Sequence, residues 1–311
     1  MTQPSSVTKT FDTSLVDVQR SFSSTETNTS GSSAKDDQPT NVPKPRESSP
    51  YRTVPTHVLY SQWAGTYDTD GNVLQAMDDI QMTSLLPEFA RLTITNHGAN
   101  GSSSSGLKLL DLGCGTGRNT VKSLQYPWDL EVEIEGWDSS QAMLDLAKPK
   151  CEAVKSANSK LSLSQVDLES IGNVPDHYAE SFDGLISTLV LEHLQADVFF
   201  AIIAKVLKPG CYALVTNMHE DMGKLSRAGY KTETGERFKA VSYAHSVEGT
   251  IEAAVKAGLE VVDQAKEVAV DERLIDGDVI NGVTIEKGQV AERARKWIGT
   301  KIWYGMILRK R

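Results

Sequence analysis

The residues best suited to chemistry cluster in LKLLDLGCGTGRNT, residues 107–120. There an apolar run closes on an acid, Asp111, and Gly113, Gly115 and Gly117 follow at every second position. Glycine takes positive φ and lets another molecule approach the main chain at little steric cost, so this loop is suited to a ligand that touches backbone. A second acid, Asp138, ends the next apolar run about 20 residues past the last glycine, a spacing that suits a carboxylate accepting from both ribose hydroxyls of a nucleoside cofactor. Histidine is the side chain whose ordinary pKa suits proton transfer near neutrality. Of the six in the chain, His219 and His245 stand where an acceptor would be met, one just past an apolar run and one before a helix signal. His193 reads as a capping or packing residue, and His57, His97 and His177 belong to no motif.

A dinucleotide-binding loop also follows a strand and opens a helix, but its fingerprint wants Gly or Ala three positions after Gly115, where this chain has Arg118. The run Asp-Leu-Gly-Cys-Gly-Thr-Gly instead resembles motif I of the class I S-adenosylmethionine-dependent methyltransferases. That resemblance implies S-adenosylmethionine as the cofactor, with its methionine part over the backbone of Gly113, Gly115 and Thr116 and with Asp138 as the ribose-binding acid of motif II. It places Ser139 and Met143 beside the adenine, although Met143 suits plain helix packing as well. It gives Asp167 and Leu168 the exocyclic amine and a ring nitrogen of the base, with a helix N-cap as the competing role for Asp167. Ser187 and Thr188 offer backbone contacts in the same scheme. Asp111 is left between bonding the loop amides, reaching the cofactor's ammonium through water, and a structural role. Tyr60, Ala64, Tyr67 and Asp68 reproduce the Tyr-x-x-x-Ala-x-x-Tyr-Asp spacing of the family's amino-terminal helix, and Tyr67 is carried over as the tyrosine near the cofactor's carboxylate. By pattern alone the same aromatics, with Trp63, make a core-facing stripe.

These residues need elements to hold them. Strands are expected at 107–112, 131–137, 161–166, 182–187 and 211–217, with helices at 117–125, 140–149 and 195–207 between them. Such alternation predicts a parallel sheet with helices on both faces and ligands outside the carboxyl ends of the strands. A helix from Ser246 to Gly258, a sixth strand at 258–270 and a seventh at 301–310 complete the pattern. The resemblance implies that the seventh inserts antiparallel between five and six. The fold class is therefore α/β, a doubly wound, seven-stranded, mostly parallel, Rossmann-like sheet. An amino-terminal helical cap (53–96) precedes the cofactor core (107–217), and it includes a helix over about 73–92 that Pro87 kinks or restarts. Two long segments, 218–245 and 271–300, exceed ordinary connections and are expected to form the acceptor pocket and lid.

At 311 residues, the chain can bury a substantial core. Its net charge of -9 argues against a nucleic-acid surface, and no Asn-Pro-Pro-Tyr or Asp-Pro-Pro-Tyr motif is present. No apolar run reaches the length needed to span a bilayer, and no signal-peptide pattern opens the chain, so a cytoplasmic protein without membrane partners is expected. Cys114, Cys151 and Cys211 are isolated and lack metal-ligand spacing. Residues 1–52, rich in Ser, Thr and Pro, have too little apolar surface to order themselves. From residue 57 onward the chain is similar to fungal small-molecule methyltransferases of natural-product pathways. This implies methyl transfer to oxygen or nitrogen of a small, aromatic metabolite by a monomer or homodimer. Carbon methylation in quinone biosynthesis and a methyltransferase-like regulator acting through partners are the alternatives.

Overall fold

The computed structural model describes residues 51–99, 106–226, 228–231, 236–280, 283–284 and 292–311. Most of the tail expected over 1–52 lies outside these residues. Order begins earlier than residue 57, because Arg52–Thr53 pairs in parallel with Arg237–Lys239, which in turn pairs antiparallel with Gly229–Lys231. The start of the chain is thus stitched to the segment expected to form the lid.

The core is one sheet. Its parallel strands are β1 (Leu107–Leu112), β2 (Val132–Asp138), β3 (Ser159–Gln165), β4 (Phe182–Thr188) and β5 (Leu207–Met218). Beyond β5 come β6 (Leu259–Val261), β7 (Lys266–Ala269) and the antiparallel β8 (Lys301–Lys310). The order across the sheet is β7-β8-β5-β4-β1-β2-β3, with β6 beside β7 on the same edge of β8. The seventh-strand insertion is as expected. The sixth strand is not continuous: Asp263 and Gln264 are exposed and leave the ladder after the Val262 amide bonds to the Ile307 carbonyl, so β6 pairs with Leu308–Lys310 and β7 with Lys301–Gly305. Ile302, Trp303, Tyr304, Met306 and Leu308 of β8 are buried, as a central strand requires.

The α-helices of six residues or more among the described residues are α1 (Thr56–Trp63), α2 (Val73–Ala99), α3 (Arg118–Gln125), α4 (Gln141–Val154), α5 (Ala196–Val206), α6 (Glu220–Leu225) and α7 (Val247–Lys256). The restart expected at Pro87 does not occur; α2 runs through it and continues past the expected residue 92 to Ala99. Tertiary packing outweighs the lost backbone bond here, because Met82, Leu86 and Phe89 are buried with Ile186 of β4 and Leu214 of β5. Sequence also missed what fixes the other half of α2. Asp78, fully buried, accepts from Trp303 Nε1 at 2.9 Å, Thr216 Oγ1 at 2.6 Å and Arg118 at 2.6 Å. Burial pushes this carboxyl up, but the Arg118 charge and the Thr216 and Trp303 bonds outweigh it and hold the group below its ordinary value. The cap is thereby bolted to the middle of the sheet and to the start of α3.

The two long segments are not irregular throughout. Besides α6, they contain a helical turn at Glu272–Asp276, paired strands at Val279–Ile280 and Val283–Thr284, and a 3-10 helix at Glu292–Trp297. The three cysteines are free and buried. No helix among the described residues is long and apolar enough to cross a membrane.

Candidate active site

The glycine loop leaves β1 by a turn that needs positive φ three times, with Gly113 at 77°, Gly115 at 54° and Gly117 at 81°. The three glycines serve different ends. A Cβ on Gly113 would strike the Val190 side chain at 2.3 Å, and one on Gly117 would meet Cys151 Sγ at 2.9 Å, so these two permit close packing. A Cβ on Gly115 would meet no protein atom within 4 Å, and Gly115 lines the open cleft. Arg118, the residue that broke the dinucleotide fingerprint, turns away to α2 and pairs with Asp78 and Asp79 at 2.6 and 2.5 Å.

Asp138 ends β2 against this loop. Its Oδ2 accepts from the Gly115 amide and its Oδ1 from the Ser140 amide, both at 2.8 Å. A carboxylate oxygen accepts two bonds, so each retains one lone pair while its first orients the group. Burial raises the Asp138 carboxyl pKa, and the Ser140, Gly115 and Ser139 amides pull against that rise.

The cleft outside the carboxyl ends of the strands spans about 710 Å³, open to solvent at its mouth. Of the residues expected there, Tyr67, Gly113, Gly115, Asp138, Ser139, Met143, Asp167, Leu168 and Thr188 line it. Asp167 caps no helix; it accepts from the Glu169 amide at 2.9 Å, and the following 3-10 turn is capped by Ser170. Thr188 Oγ1 accepts from Asn119 at 2.7 Å. Three expected residues stand behind the lining instead. Asp111 is buried, accepts from Thr120 Oγ1 at 2.6 Å, and is pushed up to about 6 by burial against the opposing Thr120 bond. Thr116 donates to Asp68 at 2.6 Å, and Asp68 also pairs with Lys150, which ties the loop to the cap and to α4. Ser187 donates to the Leu112 carbonyl at 2.7 Å.

Sequence reasoning missed Tyr60 and Leu189 as lining residues, and also His193, which reads by sequence as a capping or packing residue. The Tyr60 hydroxyl and His193 Nε2 are 2.7 Å apart, and burial drives the His193 pKa down to about 4, so this ring is neutral. The spacing of Tyr60, Trp63 and Tyr67 was the available signal. Their rings do form one cluster, with Tyr60 stacked on Trp63 at 5.5 Å and edge-on to Tyr67 at 5.7 Å.

That cluster separates the cleft from a second chamber of about 780 Å³. Tyr60, Tyr67 and Leu189 belong to both walls. Leu189 holds the left-handed backbone, φ 58°, that a branched side chain disfavours. Its amide is tied to the Thr216 carbonyl at 2.9 Å, which keeps the side chain at the junction. The far walls include Met218 at the end of β5, Met222 of α6, and Trp297 of the second long segment. Glu192 also lines this chamber. Burial and the charge of Asp78, opposed by the Met218 amide, bring its carboxyl to about 7.

Neither histidine expected to meet an acceptor lines either chamber. His219 is the N-cap of α6: its Nδ1 accepts from the Asp221 amide at 3.0 Å, so Nε2 carries the hydrogen and donates to Glu267 at 2.9 Å. His245 Nε2 donates to the carbonyls of Leu191 and Leu194, at 3.2 and 2.9 Å. Both are spent on holding the backbone.

The cleft suits S-adenosylmethionine on its own geometry. It offers a bare main-chain position at Gly115, an oriented carboxylate at Asp138, and the apolar Met143 and Leu168 for a base. Among the described residues no Lys or Arg lines it.

Comparisons agree. The family described as a methyltransferase domain matches residues 109–210. An uncharacterized methyltransferase of Emericella nidulans is 38% identical over 267 residues, covering 81% of this chain and 90% of that protein. The mitochondrial ubiquinone biosynthesis O-methyltransferase of Mus musculus is 26% identical over 155 residues, 47% of this chain and 38% of that one. Among solved structures, the cyclase SpnF superposes with a TM-score of 0.50 at 19% identity, over 84% of this chain and 98% of that one, a likeness of fold alone.

Proposed function

The chain belongs to the class I S-adenosylmethionine-dependent methyltransferases, and we propose that it methylates an oxygen or nitrogen of a small, partly apolar acceptor seated in the second chamber. The observation that carries this reading is the pair of adjoining cavities with Tyr60, Tyr67 and Leu189 as their common wall. The cofactor supplies a methyl carbon on a sulfonium, open to in-line displacement.

The chain's own residues supply position. Asp138 accepts from the ribose, Asp167 and the Leu168 amide read the adenine edge, Met143 packs on the base, and Tyr67 stands toward the carboxylate end. Thr188, fixed by Asn119, closes the side of the cleft. Apolar and aromatic walls keep water from the acceptor, and holding two reactants at near-attack distance in a dry site can supply about 7–11 kcal/mol of the barrier. A nucleic-acid acceptor fits poorly, given the -9 net charge and the lack of a basic face in a chamber with one lysine, Lys296.

The test is incubation of purified protein with methyl-labelled cofactor and fractionated small-molecule extracts. A labelled organic-soluble product supports the reading. Cofactor binding by calorimetry without labelled product from any fraction would favour a partner-directed regulator.

A further inference from the structure

The second chamber contains a carboxylate that its structural surroundings do not explain. Glu192 is 6% exposed, and among the described residues its side chain takes one hydrogen bond, a long one of 3.4 Å from the Met218 amide to Oε2. Oε1 lies 3.8 Å from His193 Nε2, which is engaged with Tyr60. A buried carboxylate normally gathers several donors, and leaving one short of them costs free energy. Leu74, Leu189, Met218 and Met222 of the surrounding wall are apolar and supply none, and the Tyr60 hydroxyl is engaged with His193. The backbone meanwhile holds Glu192 firmly. Its amide donates to Asn217 Oδ1 at 3.0 Å and its carbonyl accepts from the Tyr243 amide at 2.7 Å. The segment is fixed while the carboxylate is left facing the cavity.

We propose that Glu192 meets the acceptor, taking first a hydrogen bond and then the proton from a hydroxyl or protonated amine carried on a mainly apolar body. This rests on the methyl-transfer reading and names the group that makes the acceptor nucleophilic. The O–H or N–H bond breaks, its electron pair stays on the acceptor atom and forms the new bond to the methyl carbon, the carbon–sulfur bond breaks with its pair left on the departing thioether sulfur, and the proton ends on the Glu192 carboxylate.

The other titratable groups around this carboxylate are unsuited to the task. Tyr60 and Tyr67 are pushed up by burial and Tyr304 to about 12, so all three keep their protons. His193 is neutral down to about 4 and too weak a base. Asp78 is held ionised and is consumed by Arg118, Thr216 and Trp303. Lys296, on the opposite wall, is a cation over Trp297 at 5.2 Å. Glu192, with its carboxyl near 7, is matched to neutral-pH proton transfer.

The experiment measures binding to the full chain saturated with S-adenosylhomocysteine, read by tryptophan fluorescence, since Trp63 and Trp297 line the chamber. The probes are 4-propylphenol, 4-propylbenzylamine and 4-propylanisole, the last lacking a proton to give. At about pH 8 the phenol or the amine is expected to bind roughly tenfold or more tightly than the anisole, and at about pH 6 this preference shrinks as Glu192 takes up a proton. Glu192→Leu abolishes the preference. Glu192→Gln distinguishes the two sources: a hydroxyl preference survives it, and an ammonium preference does not. Equal binding of all three probes to the wild type, no binding of phenol or amine in the millimolar range, or an unchanged preference in Glu192→Leu would each overturn the proposal. Calorimetry with S-adenosylmethionine on the same proteins keeps the two failures apart. Cofactor binding without probe discrimination removes the role of Glu192 alone, and absence of cofactor binding by the wild type removes the methyl-transfer reading beneath it.

Discussion

Replacing Asp138 by Ala tests the cofactor assignment most directly. In the folded chain its two oxygens accept from the Gly115 and Ser140 amides at 2.8 Å, leaving one lone pair on each for the ribose. Hydrogen bonds to a charged group contribute about 1.5–3 kcal/mol. Loss of even one ribose bond should therefore weaken cofactor binding by roughly 10- to 150-fold, at about 1.4 kcal/mol per tenfold. The substitution also orphans two amides at the loop, which lowers stability by about 1–3 kcal/mol for each one that water cannot reach. The two effects are separable by calorimetric titration with S-adenosylhomocysteine and by urea unfolding without ligand. Asp138→Asn sharpens the contrast: its amide oxygen can keep one loop donor, so it should fall between wild type and Ala in both measurements. A dissociation constant within twofold of wild type in a folded Asp138→Ala protein would refute the ribose role.

Other outcomes follow from the buried polar groups. Asp78→Ala strands Arg118 without its buried partner and should cost about 3–5 kcal/mol in urea unfolding; a loss under about 1 kcal/mol would mean that the cap is held by apolar packing alone. Asp111, pushed up to about 6, binds a proton more tightly in the folded than in the unfolded chain. Its contribution to stability is thus lost as pH rises from about 4 to 6, so Asp111→Asn should narrow the stability gap between about pH 4.5 and 7.5 seen in wild type. His219→Ala should lose about 1 kcal/mol of stability with the α6 cap, and turnover per folded molecule should hold; a hundredfold fall in turnover at unchanged melting temperature would return His219 to the chemistry. Gly117→Ala should destabilise the fold, because φ of 81° and Cys151 Sγ at 2.9 Å both resist a Cβ; a normal melting temperature would show that α3 and α4 can separate cheaply.

Much of this protein is local. Central strands buried on both faces declare themselves as apolar runs, and a turn that needs positive φ declares itself as glycine. For that reason β1, β2, β4, β8 and the loop at Gly113–Gly117 were readable from the chain, along with Asp138 at its strand end. The continuity of α2 through Pro87 and the break between β6 and β7 were not readable, since each depends on what the partner strand or neighbouring core offers. Side-chain direction is less local still. His219 and His245 were picked for their place in the chain, but their nitrogens are consumed by Asp221, Glu267 and the carbonyls at Leu191 and Leu194. Tyr60 meets His193 across 133 residues, and Glu192 faces a cavity whose walls come from the cap, from β5 and from both long segments. The sequence alone therefore determined the sheet and the cofactor loop, through periodicity and backbone sterics that a few neighbouring residues encode. Only the tertiary structure decided which titratable groups are spent and which one is left facing the second chamber, because burial and hydrogen-bond partners exist only once distant elements have packed.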